Sequence, residues 1–334
     1  MADRLFISNS DEAVRFIKKL LLFILVAAVI DRSLGYCLDY ILRNKVVHSG
    51  NFGAINSAVK EKAGIIIMGD SRAKHNYVPR IISKDMRSDC FNLGADGMGV
   101  NYDYSLLTHI LSNYKPGLII YELNLELNGN KPATLNYYKL MPFIKRYDNL
   151  VRLVKEKDAF IELKLLSGAY PFNKKIHSLI YDSMFAARND DLKGYQPLYG
   201  TKLENEFKEF TIRAQPTVIT ESPEISKSTF SDFIELAGKH DVPVLFVYSP
   251  MIGNSGSYTI DPASLKRYSE MITSHGMKLI LLEKQDYPQL GDKSLFWDPI
   301  HLNDEGAKVF SEIINRRLAE LKKENYFRDS PPGS

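Results

Sequence analysis

Unbroken apolar runs recur along the chain, each closed by glycine, proline or a polar cluster. Residues 64–68 (GIIIM), 90–93 (CFNL), 117–123 (GLIIYEL), 242–248 (VPVLFVY) and 277–282 (MKLILL) read as five strands. Continuous runs, without an in–out alternation, belong to parallel strands covered on both faces. Between them the apolar spacing lengthens to the helical period. It predicts helices over 77–86 (entered through Pro79), 102–113, 229–240 and 265–275. A last helix opens at Asn303, whose side chain suits an N-cap, and carries a core stripe of Val309, Phe310, Ile313, Ile314 and Leu318. Strands alternating with helices imply an α/β fold, a doubly wound parallel sheet of flavodoxin-like α/β/α layering with right-handed crossovers. In such sheets the ligand crevice lies beyond the carboxyl ends of the strands.

Two regions depart from this rhythm. Residues 20–30 (LLLFILVAAVI) are wholly apolar, preceded by Lys18 and Lys19 and closed by Asp31 and Arg32; a second, mainly apolar stretch covers 34–42. An unaided membrane span needs about 20 apolar residues, and continuing past Asp31 and Arg32 at the bilayer centre costs roughly 2.5–3.5 kcal/mol for each. An uncleaved signal-anchor, a cleaved signal peptide and a buried core helix all fit the run, and the lysine pair suits the first two. The reading adopted is an N-terminal membrane anchor over 1–45, with the main domain outside. The second departure is 125–224, an insertion without clear strands and rich in tyrosine (Tyr137, Tyr138, Tyr147, Tyr170, Tyr181, Tyr195, Tyr199). It reads as a mostly helical cap within a domain spanning 60–325. Such rings stack on sugars or fill a core, and packing is the commoner fate of any one of them. The tail, 326–334, is expected to be disordered.

Length and charge narrow the classes. The 334 residues suffice for one large α/β domain or two smaller ones, and a net charge of +3, from 43 basic and 40 acidic residues, gives no pull toward nucleic acid. Cys37 and Cys90, the only cysteines, are not expected to pair. There is no HExxH or paired-cysteine spacing for a metal, and the glycine stretch 94–99 lacks the G-x-G-x-x-G order, so no cofactor is expected.

The candidate chemistry sits where the fold would expose it. Gly69-Asp70-Ser71-Arg72 follows the first strand, and Asp298-Pro299-Ile300-His301 precedes the last helix. A serine hydroxyl needs an imidazole to take its proton, and a carboxylate to fix that imidazole's tautomer. A spacing of three lets Asp298 fold back onto His301. Ser71 taken alone could equally cap the following turn. His75 is near enough in sequence to compete as the base but has no obvious carboxylate partner, so His301 is preferred.

These segments resemble the SGNH/GDSL hydrolases. Gly69-Asp70-Ser71 matches their first element, Asn92-Leu93-Gly94-Ala95-Asp96-Gly97 the Asn-x-Gly-x-x-Gly-like second, and Asp298-Pro299-Ile300-His301 the last. The resemblance covers the α/β core and neither the N-terminal region nor the insertion. It implies Ser71 as nucleophile, His301 as general base and Asp298 as its orienting partner, with the backbone N–H groups of Ser71 and Gly97 as oxyanion donors. The third element departs from Gly-x-Asn-Asp: here the chain reads Glu122-Leu123-Asn124-Leu125-Glu126-Leu127-Asn128. Asn124 is the candidate third donor and Asn128 the second choice. Losing one such donor typically costs ~10²–10³ in rate.

With an N-terminal anchor and an insertion, the chain resembles membrane-tethered SGNH proteins of the bacterial envelope: the DltD, alginate-acetylation and peptidoglycan O-acetyltransferase groups. The resemblance implies a serine esterase or O-acyltransferase, moving acetyl to or from an envelope or secreted carbohydrate. The protein is expected on the extracytoplasmic side of the membrane, with a membrane acyl-donor protein as partner. The alternative is a non-catalytic glycan-binding or assembly protein on the same fold; a lipid-directed esterase is a weaker third.

Overall fold

The computed structural model describes residues 3–46, 50–123, 140–146, 148–155, 158–185, 192–202, 224–251, 262–282 and 287–327. The chain divides into two compact units: Met1–Lys45 with Met141–Met184, and Val46–Leu140 with Phe185–Ser334.

The larger unit holds a five-stranded sheet of β1 (Ile65–Met68), β2 (Cys90–Asn92), β3 (Leu118–Glu122), β4 (Val244–Tyr248) and β5 (Lys278–Leu281). The spatial order is β2-β1-β3-β4-β5, with every pair parallel. All five expected runs form strands. β1 to β4 are buried along their whole length, as unbroken apolar runs require, whereas β5 at the sheet edge is half-exposed. Successive side chains point to opposite faces. On one face Ile65, Ile67, Leu118, Ile120, Leu245 and Val247 pack against Phe310, Ile313, Ile314 and Leu318 of the last helix, Asp304–Lys323. On the other, the Tyr121 and Phe246 rings meet Phe230 and Phe233 of helix Glu224–Lys239. That helix also packs along Val100–Leu111. Asn303 caps the last helix as its sequence suggests, accepting the Gly306 amide at 2.9 Å.

The smaller unit joins segments a hundred residues apart. One helix, Asp3–Asn44, runs unbroken through Asp31 and Arg32. The Asp31 carboxylate accepts from the Ser167 hydroxyl at 2.6 Å and from the Gly168 and Ala169 amides. Lower down the helix, Asp39 pairs with Arg146 at 2.5 Å.

The membrane-anchor expectation is not supported. Among the described residues no helix is long and apolar enough to cross a membrane. The physical reason is the charge framing the apolar run: Lys18 and Lys19 lie before it, and Asp31 and Arg32 follow after eleven residues. The side chains from Leu20 to Leu25 are nonetheless exposed.

Much of the 125–224 insertion lies outside the described residues. Residues 140–185 form short helices and 3₁₀ turns, but 192–202 contain no helix. That irregular strap lies against the edge of β2, where the Asn92 amide donates to the Lys193 carbonyl at 2.8 Å. Tyr195 is buried and donates to Asp304, whereas Tyr181 and Tyr199 are exposed. Tyr137, Tyr138 and Tyr147 lie outside the described residues. Both cysteines are free thiols, Cys37 exposed and Cys90 buried.

Candidate active site

β1 ends at Met68 and the backbone turns sharply at Gly69, whose φ is +133°; a Cβ there would meet the Glu122 Cβ at 2.9 Å, so only glycine fits. Asp70 then caps the short helix Ser71–Asn76, its side chain accepting the Arg72 amide at 2.9 Å. The capping role therefore falls to Asp70, leaving the Ser71 hydroxyl for another partner.

That partner is His301. Its Nε2 lies 2.8 Å from Ser71 Oγ, and its Nδ1 lies 2.9 Å from Asp298 Oδ2. Phe296 and Leu302 form an antiparallel bridge that closes the loop between them, and the Trp297 amide donates to the His301 carbonyl at 3.0 Å. Within this loop Asp298 Oδ1 also accepts the Ile300 and His301 amides, at 2.9 and 2.8 Å. Burial alone would push the Asp298 carboxyl up, but the hydrogen bond and charge of His301, with those two amides, outweigh it and hold the group below its ordinary value. An ionised Asp298 keeps the proton on Nδ1 and turns the Nε2 lone pair toward the serine. The His301 and Asp298 side chains retain 13% and 14% of their exposure, so the pair is screened but reachable.

The glycine loop lies alongside. Ladder bonds continue past β2, from the Leu93 amide to Ile67 O and from the Ala95 amide to Gly69 O. Asn92 fastens the loop to the helix that begins at Ser71 and the turn after it: its side-chain amide donates to Ala73 O at 2.7 Å and Tyr77 O at 3.0 Å, and its oxygen accepts the Gly94 amide. Gly97 has a φ of +66°, which glycine adopts without strain. Among the described residues, neither the Ser71 nor the Gly97 amide has an acceptor. Asn124 and Asn128 lie outside the described residues.

His75 does have a carboxylate partner, contrary to expectation. Its Nε2 lies 2.9 Å from Asp96 Oδ1 and its Nδ1 lies 2.7 Å from the Gln196 carbonyl. Lys74 grips the other Asp96 oxygen. Asp96 sits in the glycine loop, 21 residues from His75, too far along the chain for local spacing to reveal the pair. Burial would raise the Asp96 carboxyl, but the His75 and Lys74 bonds hold it far below the ordinary range.

Sequence reasoning missed the groups beneath the site. Arg72 and Glu122, both wholly buried, form an ion pair, and the Arg72 guanidinium lies 4.5 Å over the Tyr248 ring. Asp103 is buried under the turn, accepts from Tyr121 at 3.1 Å, and is pushed up to about 8 by burial. The available signals were a glutamate closing an otherwise apolar strand and an arginine directly after the serine. At the rim, Trp297 is half-buried with its ring 6.4 Å from that of His301, and Lys202 of the strap lies 4.3 Å over it. Among the described residues no group of three or more His, Cys, Asp or Glu side chains is placed to hold a metal ion.

No family model matches the chain, and no curated protein gives a significant match. Among solved structures it is similar to a candidate acylhydrolase from Bacteroides fragilis, at 12% identity and a TM-score of 0.35, over 77% of this chain and 86% of that one. It is also similar to a candidate platelet activating factor from Streptococcus pneumoniae, at 11% identity and a TM-score of 0.39, over 92% and 98% of the two chains. Likeness at this level assigns neither fold nor activity.

Proposed function

We propose that the protein is a serine esterase or O-acyltransferase of the SGNH type, working through an acyl-enzyme on Ser71. The observation that carries this reading is the continuous hydrogen-bonded line from Ser71 Oγ through the His301 ring to Asp298. Ser71 Oγ attacks the acyl carbonyl as its proton passes to His301 Nε2, and the resulting oxyanion takes hydrogen bonds from the Ser71 and Gly97 amides. The C–O bond to the leaving alcohol then breaks, and that alkoxide recovers the proton from His301. Water or a carbohydrate hydroxyl, deprotonated by the same ring, attacks the acyl-enzyme and releases Ser71. Asn124 is the proposed third oxyanion donor.

Acetyl as the acyl group, an envelope carbohydrate as substrate, an extracytoplasmic location and a membrane acyl-donor partner belong to this reading. Their support is the resemblance to the envelope SGNH groups. The non-catalytic alternative draws its support from the third element. Glu122, in that element, is buried in an ion pair beneath the site.

The test is to incubate the full chain with an activated acyl ester and with a fluorophosphonate probe. Adducts are expected on the wild type and absent from Ser71→Ala. Equal labelling of Ser71→Ala, or no adduct and no turnover in the wild type, would overturn the catalytic reading.

A further inference from the structure

Glu122 ends β3 and is wholly buried, so a carboxylate has been taken out of water at considerable cost. Both of its oxygens accept hydrogen bonds. Oε1 accepts from Arg72 Nε at 2.7 Å, from the Ser249 hydroxyl at 2.9 Å and from the Ser249 amide at 3.2 Å; Oε2 accepts from the Tyr77 hydroxyl. Burial still pushes this carboxyl above its ordinary value, with Arg72 and Tyr77 opposing. Replacing such a pair with packed apolar side chains is often neutral or stabilising, so stability alone gives weak reason for it.

The line of bonds leading away from Glu122 gives a better reason. The Ser249 hydroxyl, donating to Glu122, accepts from Asn76 Nδ2 at 3.0 Å. Asn76 Oδ1 in turn accepts the Leu302 amide at 3.0 Å. Every donor points the same way, from Leu302 through Asn76 and Ser249 to the carboxylate, and all four residues are wholly buried. The direction also fixes the Asn76 amide, because only its oxygen can face the Leu302 N–H. Asn76 belongs to the helix that begins with Ser71, and Leu302 directly follows His301. We infer that Glu122, Ser249 and Asn76 form a positioning relay that holds the His301 loop against the nucleophile helix.

The inference rests on the proposed role of Ser71 and His301, and deepens it. Loss of the relay would loosen the spacing between Ser71 and His301, and a misplacement near 1 Å can cost ~10² in rate. The relay residues are wholly buried and act on the site only through the His301 loop, so these are positioning residues.

The test compares three full-length variants with an activated acyl ester. Asn76→Ala cuts the relay beside His301, and Ser249→Ala cuts it in the middle with less disturbance. Asn315→Ala is the control: it removes another buried amide bond, to Ile82 O at 3.0 Å, in the last helix. Asn76→Ala is expected to lower kcat ~10–10²-fold with KM within about twofold. Ser249→Ala should lower kcat by a smaller factor, and Asn315→Ala should leave it unchanged. An unchanged kcat in both relay variants, or an equal fall in the control, overturns the relay. Should Asn76→Ala not fold, Ser249→Ala carries the comparison. If the wild type itself shows no turnover, the catalytic reading fails, and the relay is judged by hydrogen exchange of the Leu302 amide. Faster exchange in the relay variants than in Asn315→Ala supports it; equal exchange overturns it.

Discussion

Two histidines share one edge of the sheet, their rings edge-to-face with centroids 5.6 Å apart. Each meets an aspartate, and what faces the second nitrogen separates them. His301 presents Nε2 to the Ser71 hydroxyl, a group with a proton to give. His75 lies between the Gln196 carbonyl and the Asp96 carboxylate, two acceptors, so neither of its nitrogens faces a group with a proton to give. A carboxylate partner therefore does not identify a general base. The hydroxyl on the far side is what the proposed role of His301 requires, whereas His75 fastens the helix that begins at Ser71 to the glycine loop.

The largest expected effects test this division directly. Ser71→Ala and His301→Ala should each lower ester turnover by ~10⁴-fold or more. If His75→Ala were equally damaging while His301→Ala was mild, the assignment of roles would be reversed. Asp298→Asn should cost ~10²–10⁴-fold, because the amide no longer holds the proton on Nδ1; the readout is kcat with a single activated ester. His75→Gln, which keeps a donor toward Asp96, should cost about tenfold or less, through looser placement of Gly97. A loss as deep as that of Asp298→Asn would mean that His75 moves protons.

Stability carries a separate test, through a contrasting carboxylate. Asp298 is held low, whereas burial pushes Asp103 up to about 8. Over the range from its ordinary 3.8 to about 8, native Asp103 keeps a proton that the unfolded chain has released. Native protein binds more protons there, so Asp103 makes stability fall as pH rises, by a few kcal/mol in total. Urea midpoints at pH 5 and pH 8 should differ less in Asp103→Asn than in the wild type. Parallel pH dependence in the two proteins would remove Asp103 as the cause.

The strands were legible because a strand buried on both faces must be apolar throughout, and β1 and β3 have few other ways to satisfy Ile65–Met68 and Leu118–Glu122. The meeting of Ser71 with His301 could be anticipated because both follow from strand ends on one edge. The pairing of Asp96 with His75 could not: it depends on how the glycine loop folds back, and nothing local encodes that. The same holds for Asp31, which in sequence merely ends an apolar run, yet in the fold receives three donors from 167–169. Glu122 was visible as an oddity in an apolar strand, but its partners Ser249 and Asn76 come from distant segments.

Trp297, at the rim of the site, is the single tryptophan of the chain. Its indole emission, excited beyond the tyrosine band, therefore arises from this one place. Any occupant that displaces the Lys202 ammonium or covers the ring will change that light. Candidate esters, sugars and acceptors can thus be screened by titration in an unlabelled, unmodified protein, before any turnover assay has been devised.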